Sequence, residues 1–434
     1  MRPGSPYGPA YADPVTRAVV PADLDDLVRS VGAALDGAGP AVAPVPLLPF
    51  RGAGRPGAVD LPPGTALVLR TSGSTGDPRE VLLAAAAVRA SGAATHERLG
   101  GPGHWLLTLP ATHVAGVQVV ARAHAAGRGL TAAPAGEPFT PRGFADLVAR
   151  SPRGERRYVS LVPTQLHRLV TAADAGDDDG AAGLDALCAL DAVLLGGAAT
   201  PPVLLRRARE AGARVVTTYG MTETSGGCVY DSVPLPGARV RLVGSTAQDG
   251  AGVVELAGPF LATGYRGAPD ATAAAFRTDD DGTRWFRTSD LGRLDGPPGG
   301  PVLAVLGRAD DVVVTGGVNV APAAVEDVVA EVDGVGEACV VGVPHAEWGQ
   351  EVVAVVTLRD AARGDDVPDG AAPVADAPAD LVAAVRARVA DRLERPAAPR
   401  RVLVVPGLPR RGPGKVDRAA VARLAAAHVA APGG

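Results

Sequence analysis

Between residues 65 and 220 the chain repeats one unit: a short apolar run, a polar or glycine-rich loop, then a stretch of helical character. "TALVLR" leads through a Gly/Ser/Thr loop into the Ala-rich "EVLLAAAAVRASGAA", read as helix. "HWLLTLP" precedes "HVAGVQVVARAHAAG", "YVSLVP" precedes "TQLHRLV", "LDAVLLGG" precedes "PPVLLRRAREAG", and "RVVTTYG" closes the series. Parallel strands need a long crossover, usually a helix, and strands covered on both faces read as unbroken apolar runs. The alternation therefore predicts an α/β fold on a largely parallel sheet.

The flanks read differently. Residues 1–60 are Pro- and Gly-rich around one helical pattern, "ADLDDLVRSVGAAL". After residue 235, "ARVRLV", "GVVELAG" and "PVLAVLG" are short and Gly-punctuated, the texture of a small antiparallel β-subdomain. A further βα region follows residue 311, with "EDVVAEV", "GEACVVGVP", "EVVAVVTLR" and "ADLVAAVRARVADRL". Residues 174–182 and 363–380, rich in Asp, Gly, Ala and Pro, read as flexible insertions.

Composition removes several classes of function. The net charge of −5 comes from interspersed signs, so no basic face for nucleic acid is expected. Cys188, Cys228 and Cys339 are far apart and lack ligand spacing, which argues against a disulfide framework or a zinc site. No apolar run reaches the ~18 residues of a membrane span, and the N-terminus lacks a signal-peptide core. These features fit a soluble, cytoplasmic protein. Among 42 basic residues there is one lysine, Lys415, in "PRRGPGKVDRAA". Lysine is a compact charge on a flexible stem, whereas arginine is a wide, directional fork. A position that resists the drift toward arginine is a candidate for chemistry arginine cannot do.

Five segments carry the chemistry. "TSGSTGDPRE" (71–80) follows a strand, and its glycines and hydroxyls can wrap phosphate oxygens. "TTYGMTETSGG" (217–227) follows another, offering Tyr219 as a flat face, Thr222 as a hydroxyl and Glu223 as a carboxylate for a hard cation. "WFRTSDLGRLD" (285–295) presents Asp290, suited to a ribose diol. "LGRADDVVVTGGVNVAPAAVEDVV" (306–329) contains Arg308, paired acids, the Gly316–Gly317 turn and a helix starting near Pro322. The fifth is the Lys415 segment.

Together, in this order, the five resemble the adenylate-forming superfamily of acyl-CoA synthetases, adenylation domains and luciferases, over roughly residues 61–425. The resemblance implies ATP, Mg2+ and coenzyme A as reactants and cofactors. It implies phosphate contacts from Thr71, Ser72, Gly73, Ser74, Thr75 and Gly76, with Gly196, Gly197 and Ala198 lining an adenine pocket. Tyr219, Gly220, Met221, Thr222 and Glu223 would hold adenine, α-phosphate and Mg2+, Thr75 sharing the metal, while Asp290 and Arg308 grip the ribose. Lys415 would be catalytic, Asp310 the hinge, and Gly316 a turn guiding the CoA thiol. The chain then divides into residues 1–309, an adenylation core with a shortened N-terminal region and a small β-subdomain, and 310–434, a small mobile α+β domain.

"LPATHVAGVQVVAR", "SLVPTQLHRL" and "GGCVYDSVPLPGARVRL" further resemble the actinobacterial o-succinylbenzoate–CoA ligases of menaquinone synthesis. That acid has a succinyl carboxylate to activate and an aromatic one to recognise. On the helical reading of 114–125, Gln118 and Arg122 share a face, and Arg122 is the candidate for the aromatic carboxylate. His113, Thr164, Ser225 and Gly226 are expected to border the acid. One departure is Arg79, where the family usually has lysine; a homodimer interface is one way to cover the back of the first sheet. Three other readings fit the motifs: a ligase for a different acyl or aryl acid, an adenylation enzyme loading a carrier protein, and a nucleotide-binding pseudoenzyme.

Overall fold

The computed structural model describes residues 11–13, 18–45, 61–71, 79–244, 250–296, 300–359, 374–393, 395–411 and 415–430. Its centre is a seven-stranded sheet in which Leu130–Ala132, His104–Leu107, Arg157–Leu161, Ala192–Leu195 and Val215–Met221 run parallel, in that order. Gly226–Tyr230 and Val233–Pro234 extend it antiparallel. Successive side chains leave a strand on opposite faces. Trp105, Leu107, Tyr158 and Leu194 accordingly enter one core, with residues of helices Ala85–Arg98 and Val114–Ala126. Leu106, Val159, Leu161, Val193 and Leu195 enter the other, beneath helices Pro141–Arg150, Pro163–Asp174 and Asp178–Cys188. Both faces are covered, which is why these strands read as continuous apolar runs.

A second sheet of six strands, in the order Tyr11–Asp13, Ala18–Val20, Ala41–Val42, Thr65–Arg70, Glu80–Ala84 and Gly264–Tyr265, is mixed rather than parallel. Here the expectation of helix from residue 80 is corrected. "EVLLA" is the strand Glu80–Ala84, antiparallel to Thr65–Arg70, and the helix begins at Ala85. Val81 and Leu83 enter the main core while Leu82 enters a satellite core behind it. A run of consecutive apolar residues cannot announce that period by itself.

The antiparallel β-subdomain is present, with Arg239–Val243, Gly252–Ala257, Arg284–Asp295 and Phe276–Thr278 in that order and Val302–Arg308 also pairing with Arg284–Asp295. The last region is a mixed sheet around Gly349–Leu358, flanked by Val335–His345 and Arg401–Val404. Helices Pro322–Val329 and Ala379–Arg392 bury Val325, Val329, Val385 and Val389 on one face. Helix Arg418–Ala430 buries Val421 and Ala425 on the other.

The insertion expected at 174–182 is instead ordered from Asp177 onward. The Asp177 carboxylate accepts from the Gly180 amide at 3.2 Å, and Asp178 and Asp179 fill the first turn of Asp178–Cys188. Acids at that end satisfy free amides and the positive helix terminus, so an acidic run marked a helix start. Of 363–380, residues up to 373 lie outside the described residues, while Ala375–Asp376 is a strand and Ala379 opens a helix.

Neighbouring strands His104–Leu107 and Arg157–Leu161 send their following helices to opposite faces. Such a divergence opens a crevice at the carboxyl ends of the strands, the usual ligand position in open α/β sheets.

Candidate active site

A cleft of about 3600 Å3 occupies that crevice and continues between the β-subdomain and the last region of the chain. Loops after four parallel strands reach it: His113, Thr164, Gly196–Ala198 and Tyr219–Glu223 all line it. Tyr219 and Glu223 arrive through a tight connection. Strand Val215–Met221 ends in the single turn Thr222–Thr224 and returns as Gly226–Tyr230. A Cβ on Gly220 would lie 2.2 Å from the Gly226 carbonyl oxygen, so the close return of the hairpin requires glycine there.

Along one wall, the Tyr219 hydroxyl donates to Asp290 Oδ2 at 2.7 Å. Burial, then the Asp290 charge, pushes the Tyr219 phenol well above its ordinary pKa, so it remains a donor. Asp290 lies within strand Arg284–Asp295, directly opposite Arg308 on Val302–Arg308. The Arg308 guanidinium is held by Asp310, at 2.7 Å (Nε–Oδ1) and 2.6 Å (Nη2–Oδ2). Asp290, Arg308 and Tyr219 thus share one wall with Gly196, Gly197 and Ala198, a flat ring beside a carboxylate and a cation.

Glu223 sits deeper. Its Oε1 accepts from the Tyr265 hydroxyl at 2.9 Å, and the Arg79 guanidinium lies 5.1 Å above the Tyr265 ring. Burial raises the Glu223 pKa, with its backbone, Tyr265 and Arg79 offsetting part of the effect. Thr71 and Arg79 close the base of the Gly/Ser/Thr loop, since Thr71 N donates to Arg79 O at 2.8 Å and Arg79 N to Thr71 Oγ1 at 3.2 Å. Ser72, Gly73, Ser74, Thr75 and Gly76 lie outside the described residues. Among the described residues no cluster of three metal-ligating side chains occurs. A recessed carboxylate beside a phosphate-type loop still fits Mg2+, which is commonly held by one or two carboxylates together with substrate phosphates.

Another stretch of the lining comes from helix Val114–Ala126. Gln118 and Arg122 share its inner face and are 1% and 4% exposed. The Gln118 amide nitrogen donates to the Ser225 carbonyl, and Arg122 Nη2 reaches the Tyr230 hydroxyl at 3.4 Å. The Arg122 guanidinium stacks 5.2 Å over the Trp105 ring. Gln118 Oε1 and Arg122 Nε are buried without a hydrogen-bond partner, and no ion pair to Arg122 occurs among the described residues. Beside it, burial and then the Arg122 charge lower His96 to about 4, so this imidazole is neutral at physiological pH and its Nε2 accepts from Trp105 Nε1 at 3.2 Å. A buried cation facing only neutral groups is poorly compensated. This stretch of the lining is therefore complementary to an anion.

Not every expected residue reaches the cleft. Gly226 lines it, but Ser225 does not: its hydroxyl donates to the Phe260 carbonyl at 2.8 Å and its carbonyl positions Gln118. Gly316 is at the turn between Val313–Thr315 and Val318–Val320 with φ +57°, where a Cβ would meet the Trp348 ring at 2.8 Å. Neither it nor Asp310 is among the lining residues. Lys415 lies on the short strand Lys415–Val416, paired with Arg410–Arg411, and Arg410 and Val416 line the cleft. Tyr265, Tyr230, Trp105 and His96 were missed. Each is isolated in sequence from the residue it serves, and only a pairing such as Tyr265 with Val81 brings it into place.

Two family models match this chain: the AMP-binding enzyme model over residues 21–266 and the AMP-binding enzyme C-terminal domain model over 324–415. A probable 2-succinylbenzoate–CoA ligase of Mycobacterium tuberculosis is 42% identical over 362 residues, 82% of this chain and 84% of that protein. A 2-succinylbenzoate–CoA ligase of Geobacillus kaustophilus is 31% identical, over 83% of this chain and 69% of that protein. Among solved structures, o-succinylbenzoate CoA synthetase from Bacillus subtilis in complex with its acyl-adenylate intermediate superimposes with a TM-score of 0.62 at 25% identity. That match covers 82% of this chain and 68% of the other. With the motifs, the cleft and these matches in agreement, the chain belongs to the AMP-binding enzyme family and is an AMP-forming acid–thiol ligase using ATP, Mg2+ and coenzyme A.

Proposed function

We propose that this enzyme converts o-succinylbenzoate to its CoA thioester through an acyl-adenylate, supplying menaquinone biosynthesis. The observation that carries the choice of acid is Arg122: a buried guanidinium that lines the cleft and has no ion pair among the described residues. A diacid places one carboxylate there and the other toward Glu223 and the nucleotide. Gln118, one turn away, has a buried carbonyl oxygen without a partner, an acceptor for a water that bridges to the bound acid. His113 and Thr164 line the same cleft.

In the first step the succinyl carboxylate attacks the α-phosphorus of ATP; the new C–O–P bond forms as the bond to pyrophosphate breaks. Two anions must meet, and Lys415 offsets their repulsion and the charge that develops between them. Tyr219 presents a stacking face to adenine, Asp290 and Arg308 take the ribose hydroxyls, and Thr222 contacts the α-phosphate. Mg2+, when bound by Glu223 and Thr75, neutralises phosphate charge. In the second step residues 310–434 turn about Asp310, Lys415 leaves, and the CoA thiol attacks the acyl carbon with release of AMP. Gly316 belongs to the surface that then guides the thiol.

The test is pyrophosphate exchange dependent on o-succinylbenzoate, with benzoate and fatty acids as controls, followed by thioester formation with CoA. Exchange driven equally by a fatty acid refutes the acid assignment. A Lys415→Ala variant should lose exchange yet convert supplied acyl-adenylate to thioester; full exchange in that variant refutes the lysine's role.

A further inference from the structure

We infer that Arg418 is the positioning residue that ties the Lys415 hairpin to the hinge, so that the two move as one piece. The hairpin Arg410–Arg411/Lys415–Val416 is closed by Asp417 N donating to Pro409 O at 2.8 Å, and helix Arg418–Ala430 follows directly. Arg418 is the first residue of that helix, three positions beyond the lysine. Its guanidinium turns back into the domain and forks onto Glu326, Nη1–Oε1 2.5 Å and Nη2–Oε2 3.1 Å. Nη1 also donates to the Val340 carbonyl at 2.5 Å. Glu326 Oε1 in turn accepts from the Val340 amide at 2.7 Å, so helix Pro322–Val329 and strand Val335–His345 share the knot.

The remaining nitrogen makes the connection specific. Arg418 Nε faces Asp311 Oδ2 at 3.2 Å. Asp311 is the neighbour of Asp310, which grips Arg308. Two consecutive acids at the proposed hinge are therefore bound to different arginines. Asp310 is bound to the strand that pairs with Asp290, and Asp311 to the residue that roots the lysine hairpin. Rotation of the backbone at this point is transmitted through Asp311 to Arg418. A guanidinium can hold three acceptors in one plane, which the single ammonium of lysine cannot reproduce. Glu326 joins helix Pro322–Val329 to strand Val335–His345 as well as to Arg418, whereas the Asp311 carboxylate contributes the ion pair to Arg418, so substitutions at the two acids can be compared to separate folding from coupling.

This inference rests on the two-step reading above. It is tested with Asp311→Asn and Arg418→Lys in the full-length enzyme, measuring acid-dependent pyrophosphate exchange and, separately, thioester formation from supplied acyl-adenylate. Small misplacements of a reacting group slow a step by as much as about 100-fold. The expected result is a loss of about tenfold in exchange for Asp311→Asn and a larger loss for Arg418→Lys, with the thioester step within about twofold of the parent. A merely structural role lowers both steps in the same ratio; that outcome, or an unchanged ratio at unchanged rates, overturns the inference. Glu326→Gln, expected to lower thermal stability, serves as the structural comparison. If the parent enzyme itself shows no acid-dependent exchange, the function reading fails instead, and the two failures are distinct.

Discussion

Replacing Arg122 with methionine removes a charge while keeping most of the side-chain volume. In the free enzyme the guanidinium is 4% exposed, its Nε has no partner, and its neighbours are the Tyr230 hydroxyl, the Trp105 ring and a neutral His96. A buried charge without a counter-charge is a net burden, and replacing buried ionic groups by apolar ones of similar volume stabilises by about 1–4 kcal/mol. For a domain of this size each kcal/mol raises Tm by about 2–4 °C. The same change deletes a charge-assisted contact to the ring carboxylate, worth about 1.5–3 kcal/mol, or roughly 10- to 150-fold in affinity. Arg122→Met should therefore be more thermostable yet show a KM for o-succinylbenzoate raised by that factor, with kcat changed little. β-Benzoylpropionate, which lacks the ring carboxylate, should be used equally by both enzymes. Calorimetry and steady-state kinetics on the two acids decide the matter. If Tm falls and both acids suffer alike, Arg122 is a structural cation and the reasoning about the diacid is wrong.

Glu223→Gln should abolish turnover while raising stability at neutral pH. The folded-state pKa is raised by burial, so between the ordinary carboxylate value of 4.5 and the raised one the folded state binds more protons than the unfolded state. Stability contributed by this group consequently falls as pH rises through that window, and the glutamine variant should flatten the dependence in melts across acidic to neutral pH. Gly220→Ala places a methyl 2.2 Å from the Gly226 oxygen and 2.7 Å from the Gly227 Cα. Opening the hairpin that carries Tyr219 and Glu223 should lower stability by about 1–3 kcal/mol and raise the KM for ATP, seen in chemical denaturation and kinetics; an unaffected KM would show the hairpin to be slack.

The strands around residues 104, 157, 192 and 215 were legible because burial on both faces makes them mostly apolar, with few polar residues such as Ser160 inside them. The first strand–helix unit was misread because "VLLAAAAV", residues 81–88, contains no polar residue to mark where period two ends and a helix begins. The acidic run at 177–179 was taken for a loop because composition carries no register; its meaning depends on the Gly180 amide it caps.

The site divides along the same line. Motif residues that touch a common ligand type are local in sequence, since one turn after one strand must present ring, hydroxyl and carboxylate together. Tyr219, Thr222, Glu223, Asp290 and Arg308 were therefore legible as candidates, and all five line one cleft, as do Gln118 and Arg122 from one helix face. What surrounds them was decided by the tertiary structure alone. Hydrogen bonds across distant segments attach Tyr265 to Glu223 and Tyr230 to Arg122, and an ion pair joins Asp311 to Arg418. Periodicity specifies which side of an element is apolar, but not which element faces it. The charge balance around a buried group exists only once that neighbour is in place.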